Sequence, residues 1–286
     1  MKALLVPSVD EFLLITENFR KENPEKTNVI SSVAQTISSG ERTYDKYFWW
    51  IVSNEIGEVV GIAMRTAPHG ALLSPMPVEA AIDLARELTK IDEDIPGVNG
   101  PLPAIHAFIE EYKRIASGDS LQACSIAGRD FLYVLDELIS PDVEGKMIEA
   151  TLDQFPKILT WYRDFAEEAR ILMHNPREAI EDGINRDALR FWMDGEEIVS
   201  MAGYAPLVTV RGGVVGRIGP VYTPPAKRRN GYAGALTAAL SRELHDRGVK
   251  VILYTDANNP TSNNVYQKIG FIKIGENERY SFVASQ

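Results

Sequence analysis

The sequence predicts an α/β (α+β) protein with a mixed, mostly antiparallel sheet flanked by helices. Three observations carry that prediction. Apolar residues make up 45% and charged residues 24% of the 286 positions, the balance of a soluble chain able to bury a real core. The C-terminal half alternates helical and strand periodicities in the order βααβββαβαβ. The N-terminal half repeats a shadow of that order, so the chain reads as two units of ordinary domain size. The segment 140–146 (SPDVEGK), with its proline and glycine, divides 1–139 from 140–286.

In the first half, helical spacing covers about 9–22 and 27–38, ahead of the strand run KYFWWIVSN. Ile56-Gly57-Glu58 turns into a second strand, VVGIAMRT, and HGALLSP follows. A helix over 77–90 places Ile82, Leu84, Ala85 and Leu88 inward. GVNGP reads as a short strand, 103–116 as a helix, and 120–127 and 129–136 as two strands.

In the second half, KMIEAT (146–151) precedes a long helix from Asp153 to Arg170, where Phe155, Leu159, Tyr162, Phe165 and Ala169 recur at helical spacing. Asn175-Pro176 supplies a cap and a first-turn proline for a helix through Ile180 and Ile184. ALRFWM, IVSMAGYAPLV and VVGRIGPVYT read as strands, with a hairpin turn at Asp194-Gly195. The helix 231–248 buries Leu236, Leu240 and Leu244 and ends on Gly248. The strand VKVILYT, a helix over 260–269 and the strand FIKIGENERYSFV complete the order.

Charge and composition narrow the function classes. The net charge of −10 argues against a nucleic-acid partner. It suits a cationic small substrate, and a solvated acidic surface accounts for it equally well. No apolar run reaches the roughly 18 residues of a membrane span, and Pro7 and Asp10 interrupt the first residues too early for a signal peptide. A reducing cytoplasm is the expected location. A single cysteine, Cys124, excludes an internal disulfide, and its apolar surroundings predict a buried strand position. His69, His106, His174 and His245 lack metal-ligand spacing, so no metal is expected.

Chemistry concentrates between Val221 and Phe271. Arg228-Arg229-Asn230-Gly231-Tyr232-Ala233-Gly234 opens a helix. Helix starts carry unpaired N–H groups and partial positive charge. Small residues at Gly231, Ala233 and Gly234 let a diphosphate approach, and the two arginines add charge. In Asn258-Asn259-Pro260-Thr261-Ser262, Asn259 takes the N-cap position. Tyr266 lies seven residues beyond it, on the same side, where it could protonate a departing thiolate or simply pack by its ring.

Together these residues resemble the GNAT superfamily of acyl-CoA-dependent N-acyltransferases, and its FR47-like branch in particular. Val221, Pro224, Arg228, Gly231 and Ala233 match V-x-x-P-x-x-(Q/R)-x-x-G-x-(G/A). Asn259, Ser262, Tyr266, Gly270 and Phe271 match N-x-x-(A/S)-x-x-x-Y-x-x-x-G-F. Arg229 departs from a frequent glycine. The resemblance covers roughly 145–286 and implies direct acetyl transfer from acetyl-CoA to a primary amine. Val221, Tyr222 and Thr223 would line the pantetheine arm, with Pro224 and Pro225 opening that edge. An N–H at or near Val221 would polarise the thioester. The stretch 228–234, with Asn259 and Ser262, would complete the cofactor site, and Tyr266 would be the acid. Asp256, Glu167 and Glu168 stand open as candidates for the base.

The equivalent turn of the first half, SPMPVEAAIDLAREL (74–88), has neither arginine nor glycine ahead of its helix, and Glu79 would repel a diphosphate. That half is expected to be a degenerate GNAT-like unit that shapes structure or substrate. Two alternatives stay open: transfer of a longer acyl chain, as in glycine N-acyltransferases, and a non-catalytic acyl-CoA-binding module. The amine or peptide acceptor and the oligomeric state stay unassigned.

Overall fold

A computed structural model describes residues 1–91, 95–115, 123–169, 171 and 175–283. The chain divides into two compact units. The first comprises Met1–Leu132, Val210–Gly212 and Gly275–Gln286, and the second comprises Tyr133–Thr209 and Gly213–Ile274.

The first unit opens with β1 (Lys2–Val6), α1 (Val9–Ile15), α2 (Glu17–Glu22) and α3 (Asn28–Ser38). The single helix expected over 9–22 is broken at Thr16. Its backbone leaves helical values (φ −92°, ψ 4°), and its hydroxyl shares the Phe12 carbonyl with its own N–H, at 2.6 and 3.0 Å, while accepting from Arg20 Nε at 2.9 Å. Next come β2 (Tyr47–Ser53), β3 (Val59–Thr66), β4 (Ala71–Leu73), α4 (Val78–Ile91), β5 (Gly97–Pro101) and α5 (Ala104–Ile115). β6 (Ala123–Leu135) is one strand where two were expected, and 120–122 lie outside the described residues.

β1 to β4 pair antiparallel in sequence order, and β4 meets β5 in parallel at Ala71↔Val98 and Leu72↔Asn99. The last strand of the chain, β13 (Phe271–Val283), joins this sheet. Asn277 to Ser281 pair antiparallel with Pro101 to Gly97. The buried residues Trp50, Leu84, Leu88, Ile105 and Phe108 form the core between sheet and helices.

The second unit contains β7 (Lys146–Glu149), α6 (Phe155–Ala169), α7 (Pro176–Asn185), β8 (Leu189–Asp194), β9 (Glu197–Tyr204), β10 (Val208–Val210), β11 (Gly213–Tyr222), α8 (Tyr232–Asp246), β12 (Val249–Asp256) and α9 (Pro260–Lys268). A 3-10 turn over Leu152–Gln154, held by a reciprocal Thr151–Gln154 capping box, starts α6 later than expected, and Arg170 lies outside the described residues. Asn175 is left-handed (φ 52°), and its amide donates to Glu178 instead of capping α7. The expected run IVSMAGYAPLV stops at Tyr204, and Pro206, just beyond, has no N–H for a ladder.

β7, β8, β9 and β11 pair in antiparallel order, and β12 joins β11 in parallel. On α8, Leu236, Leu240 and Leu244 are fully buried, each contributing about 2 kcal/mol. Among the described residues no helix is long and apolar enough to cross a membrane.

Candidate functional site: a strand fork beside an open helix start

β11 and β12 begin side by side, Val214 opposite Val249, and their pairing ends at Ile218↔Leu253. β11 runs on to Tyr222 and β12 to Asp256, so the two strands part. On its other side β11 slips register against β9 between Ile218 and Val221. Such a bulge bends a strand and re-aims its side chains.

The polarity of the freed edge follows from the ladder. Tyr204 N–H donates to the Ala188 carbonyl at 3.1 Å, so Tyr204 and Ala202, two residues apart, direct their N–H and C=O groups toward β8. Val221 stands opposite Ala202 and therefore turns its own N–H and C=O away from β9. That side is the fork. Tyr222 instead pairs with Met201, its ring is buried, and its hydroxyl donates to Asp164 at 3.3 Å. Burial, then the Asp164 and Glu168 charges, push the Tyr222 phenol up. Thr223 shares a 2.8 Å hydrogen bond with buried Ser200.

The loop after β11 is tied from several directions. Lys227 pairs with Glu197, and Asn230 donates to the Lys227 carbonyl. Arg228 donates to both Glu168 oxygens at 2.6 and 2.8 Å and to the Thr223 carbonyl at 2.9 Å. Its charge is thus shared with a carboxylate on α6. Arg229 is exposed, in the left-handed region (φ 69°), and makes no side-chain pairing among the described residues.

Gly231 (φ 82°) is the N-cap of α8 and offers no side chain to the helix amides. The first intrahelical bond runs from Ala235 N–H to the Gly231 carbonyl, which leaves the Tyr232, Ala233 and Gly234 amides without a helical acceptor. Tyr232 is held by Asp194, whose carboxylate, first through that hydrogen bond, raises the Tyr232 phenol. Ala233 is half-buried. Gly234 is buried, and a Cβ there would stand 3.3 Å from Val265, so its small size also serves the packing of α8 on α9.

Asn259 caps α9 through its side-chain oxygen, 3.0 Å from the Ser262 N–H, as the Asn-Pro pair implies. Tyr266 is half-buried with its ring edge-on to Phe271, 6.2 Å between centroids. Its hydroxyl has no hydrogen-bond partner among the described residues, and burial pushes it up to about 12. Gly270 (φ 99°) closes the helix where a Cβ would fall 1.7 Å from the Glu137 carbonyl oxygen. A motif glycine here answers to backbone crowding. Asp256 caps its own turn by accepting from the Asn258 N–H, Glu167 is exposed, and Glu168 holds Arg228.

Sequence reasoning passed over Arg217, a lone charge within the otherwise apolar run of β11. The interruption of VVGRIGPVY was the available signal. Cys124 is half-buried on β6, less enclosed than its neighbours implied, and burial raises its thiol. Among the described residues no group of His, Cys, Asp and Glu could hold a metal ion; His174 lies outside them. A cleft of about 400 Å³ lined by Met147, Trp192, Ala238 and Arg242 flanks the middle of α8, away from the open start of that helix.

Over its whole length the chain takes the GNAT fold. It aligns with a GNAT-family acetyltransferase from Colwellia psychrerythraea at 14% identity and a TM-score of 0.55, covering 99% of this chain and all of that one. A tandem GNAT protein from the clavulanic acid biosynthesis pathway aligns at 9% identity and 0.54, over 100% and 98%. Residues 204–280 match the family model described as FR47-like protein. The chain thus has a GNAT fold with an FR47-like C-terminal region. A curated relative, the mycothiol acetyltransferase of Catenulispora acidiphila, is 39% identical over 69 residues, which are 24% of this chain and 22% of that protein.

Proposed function

We propose that the C-terminal unit transfers an acetyl group directly from acetyl-CoA to a primary amine. The observation that carries the reading is the fork after Ile218, into which Val221 directs its N–H. The name of the acetyltransferase relative supports acetyl as the transferred group.

The site residues fit the donor substrate. The Tyr232, Ala233 and Gly234 amides, with Arg229 beside them, would receive the diphosphate. Val221 and Thr223 would pair with the pantetheine arm as with an added strand, while the buried Tyr222 ring supports the strand from beneath. The Val221 N–H would stabilise the developing oxyanion, an effect of about 3 kcal/mol for such donors. The neutral amine attacks the carbonyl carbon, the C–N bond forms, and the C–S bond breaks. The amine's proton leaves to solvent, the thiolate takes a proton from Tyr266, and solvent returns a proton to the Tyr266 phenolate. Burial keeps Tyr266 protonated across neutral pH, and its hydroxyl, without a partner among the described residues, is available to donate.

The N-terminal unit takes no cofactor in this reading and serves structure or substrate shaping. Calorimetry with acetyl-CoA, followed by thiol release over an amine panel, tests the proposal. Binding with turnover supports transfer. Binding without turnover on any amine would leave an acyl-CoA-binding module, and no binding at millimolar concentration would remove the assignment.

A further inference from the structure

Arg217 lies on β11 opposite Ile252, one rung before the pairing with β12 ends. Its backbone is in regular register, with its carbonyl accepting from the Ala205 N–H at 2.9 Å. The side chain is half-buried, yet its guanidinium makes no hydrogen bond or ion pair among the described residues. The titratable group that faces it is Tyr254, two residues beyond Ile252 and so on the same face of β12. A phenol is neutral near pH 7 and is no counter-ion. Burial lowers the Arg217 pKa, the direction expected for a cation without an anion.

The fold treats its structural arginines differently. Buried Arg190 donates to both oxygens of Glu243 at 2.8 and 3.1 Å and to the Asp187 carbonyl at 2.7 Å. Buried Arg20 bonds Thr16 and the Leu13 carbonyl. A partly desolvated charge without such partners is costly, and sites that keep one are candidates for ligand recognition.

The anion that Arg217 lacks does not come from coenzyme A in the reading above, on which this inference rests. The diphosphate belongs beyond the C-terminal end of β11, and Tyr222 is already five residues past Arg217, roughly 16 Å along an extended strand. The acyl end of the donor, a thioester followed by amides, is uncharged. We propose that the acceptor is an amine that also carries an anionic group, carboxylate or phosphate, and that Arg217 grips this group to hold the amine in the fork. The planar guanidinium fork suits both oxyanions.

The test uses the full chain and acetyl-CoA thiol release with matched acceptors: glycine against glycinamide, β-alanine against β-alaninamide, phosphoethanolamine against ethanolamine. In at least one pair the anionic member should be favoured in kcat/KM by about 100-fold. Arg217→Gln should abolish that preference and leave the neutral member and the acetyl-CoA Kd unchanged, while Arg217→Lys should recover part of it. The pair that responds separates carboxylate from phosphate. Arg217→Met should raise the thermal unfolding midpoint of the ligand-free protein, whereas a structural arginine would lower it. Equal or better turnover of the neutral member in every pair overturns the proposal, as does an Arg217→Gln effect shared by both members, or acetylation of none. Failure to retain acetyl-CoA in calorimetry, measured without any acceptor, marks instead the failure of the transferase reading itself.

Discussion

The start of α4 and the start of α8 occupy the same place in their units and present opposite chemistry. Before α8 the chain supplies a left-handed glycine, three amides without helical acceptors and an exposed arginine. Before α4 the Pro77 carbonyl already receives the Ala80 and Ala81 amides at 3.1 Å. Ser74 accepts from the Ile62 N–H, and Glu79 puts negative charge into the first turn. The adjoining strands differ in the same sense. β11 leaves β12 after Ile218, while beside β4 the position of Gly100 is crowded, a Cβ there falling 2.9 Å from Leu73 and 3.5 Å from Ile105. One element order yields an open fork in one unit and a packed one in the other, so side-chain volume and first-turn charge separate the two.

The largest effect should come from making the second helix start resemble the first. Ala233→Glu places a carboxylate among the open amides and should weaken acetyl-CoA binding by about 100-fold or more in calorimetry. Glu79→Ala should leave the stoichiometry at one per chain, and a second binding event in that variant would break the comparison.

Next is the support that the first unit draws from the end of the chain. Glu278 on β13 is fully buried, with His106 Nε2 at 2.7 Å, the Tyr280 hydroxyl at 2.9 Å and Arg129 Nη2 at 2.6 Å. Burial pushes its carboxyl up, but the His106 and Tyr280 hydrogen bonds and the Arg129 charge outweigh it, and the net direction is down. A lowered carboxyl stabilises the fold above the unfolded-state value near 4.3, and the stability is lost as pH falls through the folded value. Glu278→Ala should therefore cost about 2 kcal/mol at neutral pH and much less near pH 3, read from denaturant midpoints.

Tyr266→Phe sharpens the role of α9. Turnover should fall roughly tenfold with the acetyl-CoA Kd unchanged. Because the folded phenol sits near 12, Tyr266 should contribute no loss of activity on the alkaline side below about pH 10, and a pH–rate profile checks this. Unchanged turnover would remove the residue from the reaction. The smallest effect belongs to Arg229→Gly, which relieves a left-handed arginine and should alter stability by less than about 1 kcal/mol. It should also weaken coenzyme binding modestly and make it less salt-dependent.

Much of the candidate site was legible because its signals are local. The Asn259-Pro260 start of α9, the Gly231 turn and the apolar stripe of α8 each follow from backbone preferences within a few residues. Local rules also misled where two of them competed, as at Thr16, whose hydroxyl shares the Phe12 carbonyl with its own N–H, and at Asn175, whose side chain turns to Glu178.

By itself, then, the amino-acid sequence determined the order of elements, the glycine turn that opens α8, and the motif spacing that resembles the GNAT superfamily. Tertiary structure alone decided that the last strand completes the first unit's sheet, that β11 and β12 part at Ile218, and that Arg228 has Glu168 for a partner while Arg217 has none among the described residues. Helix starts and turns are written over a few neighbouring residues. Strand partners and counter-ions are chosen between residues far apart in the chain, where only the packed fold brings a charge beside its partner or leaves it alone.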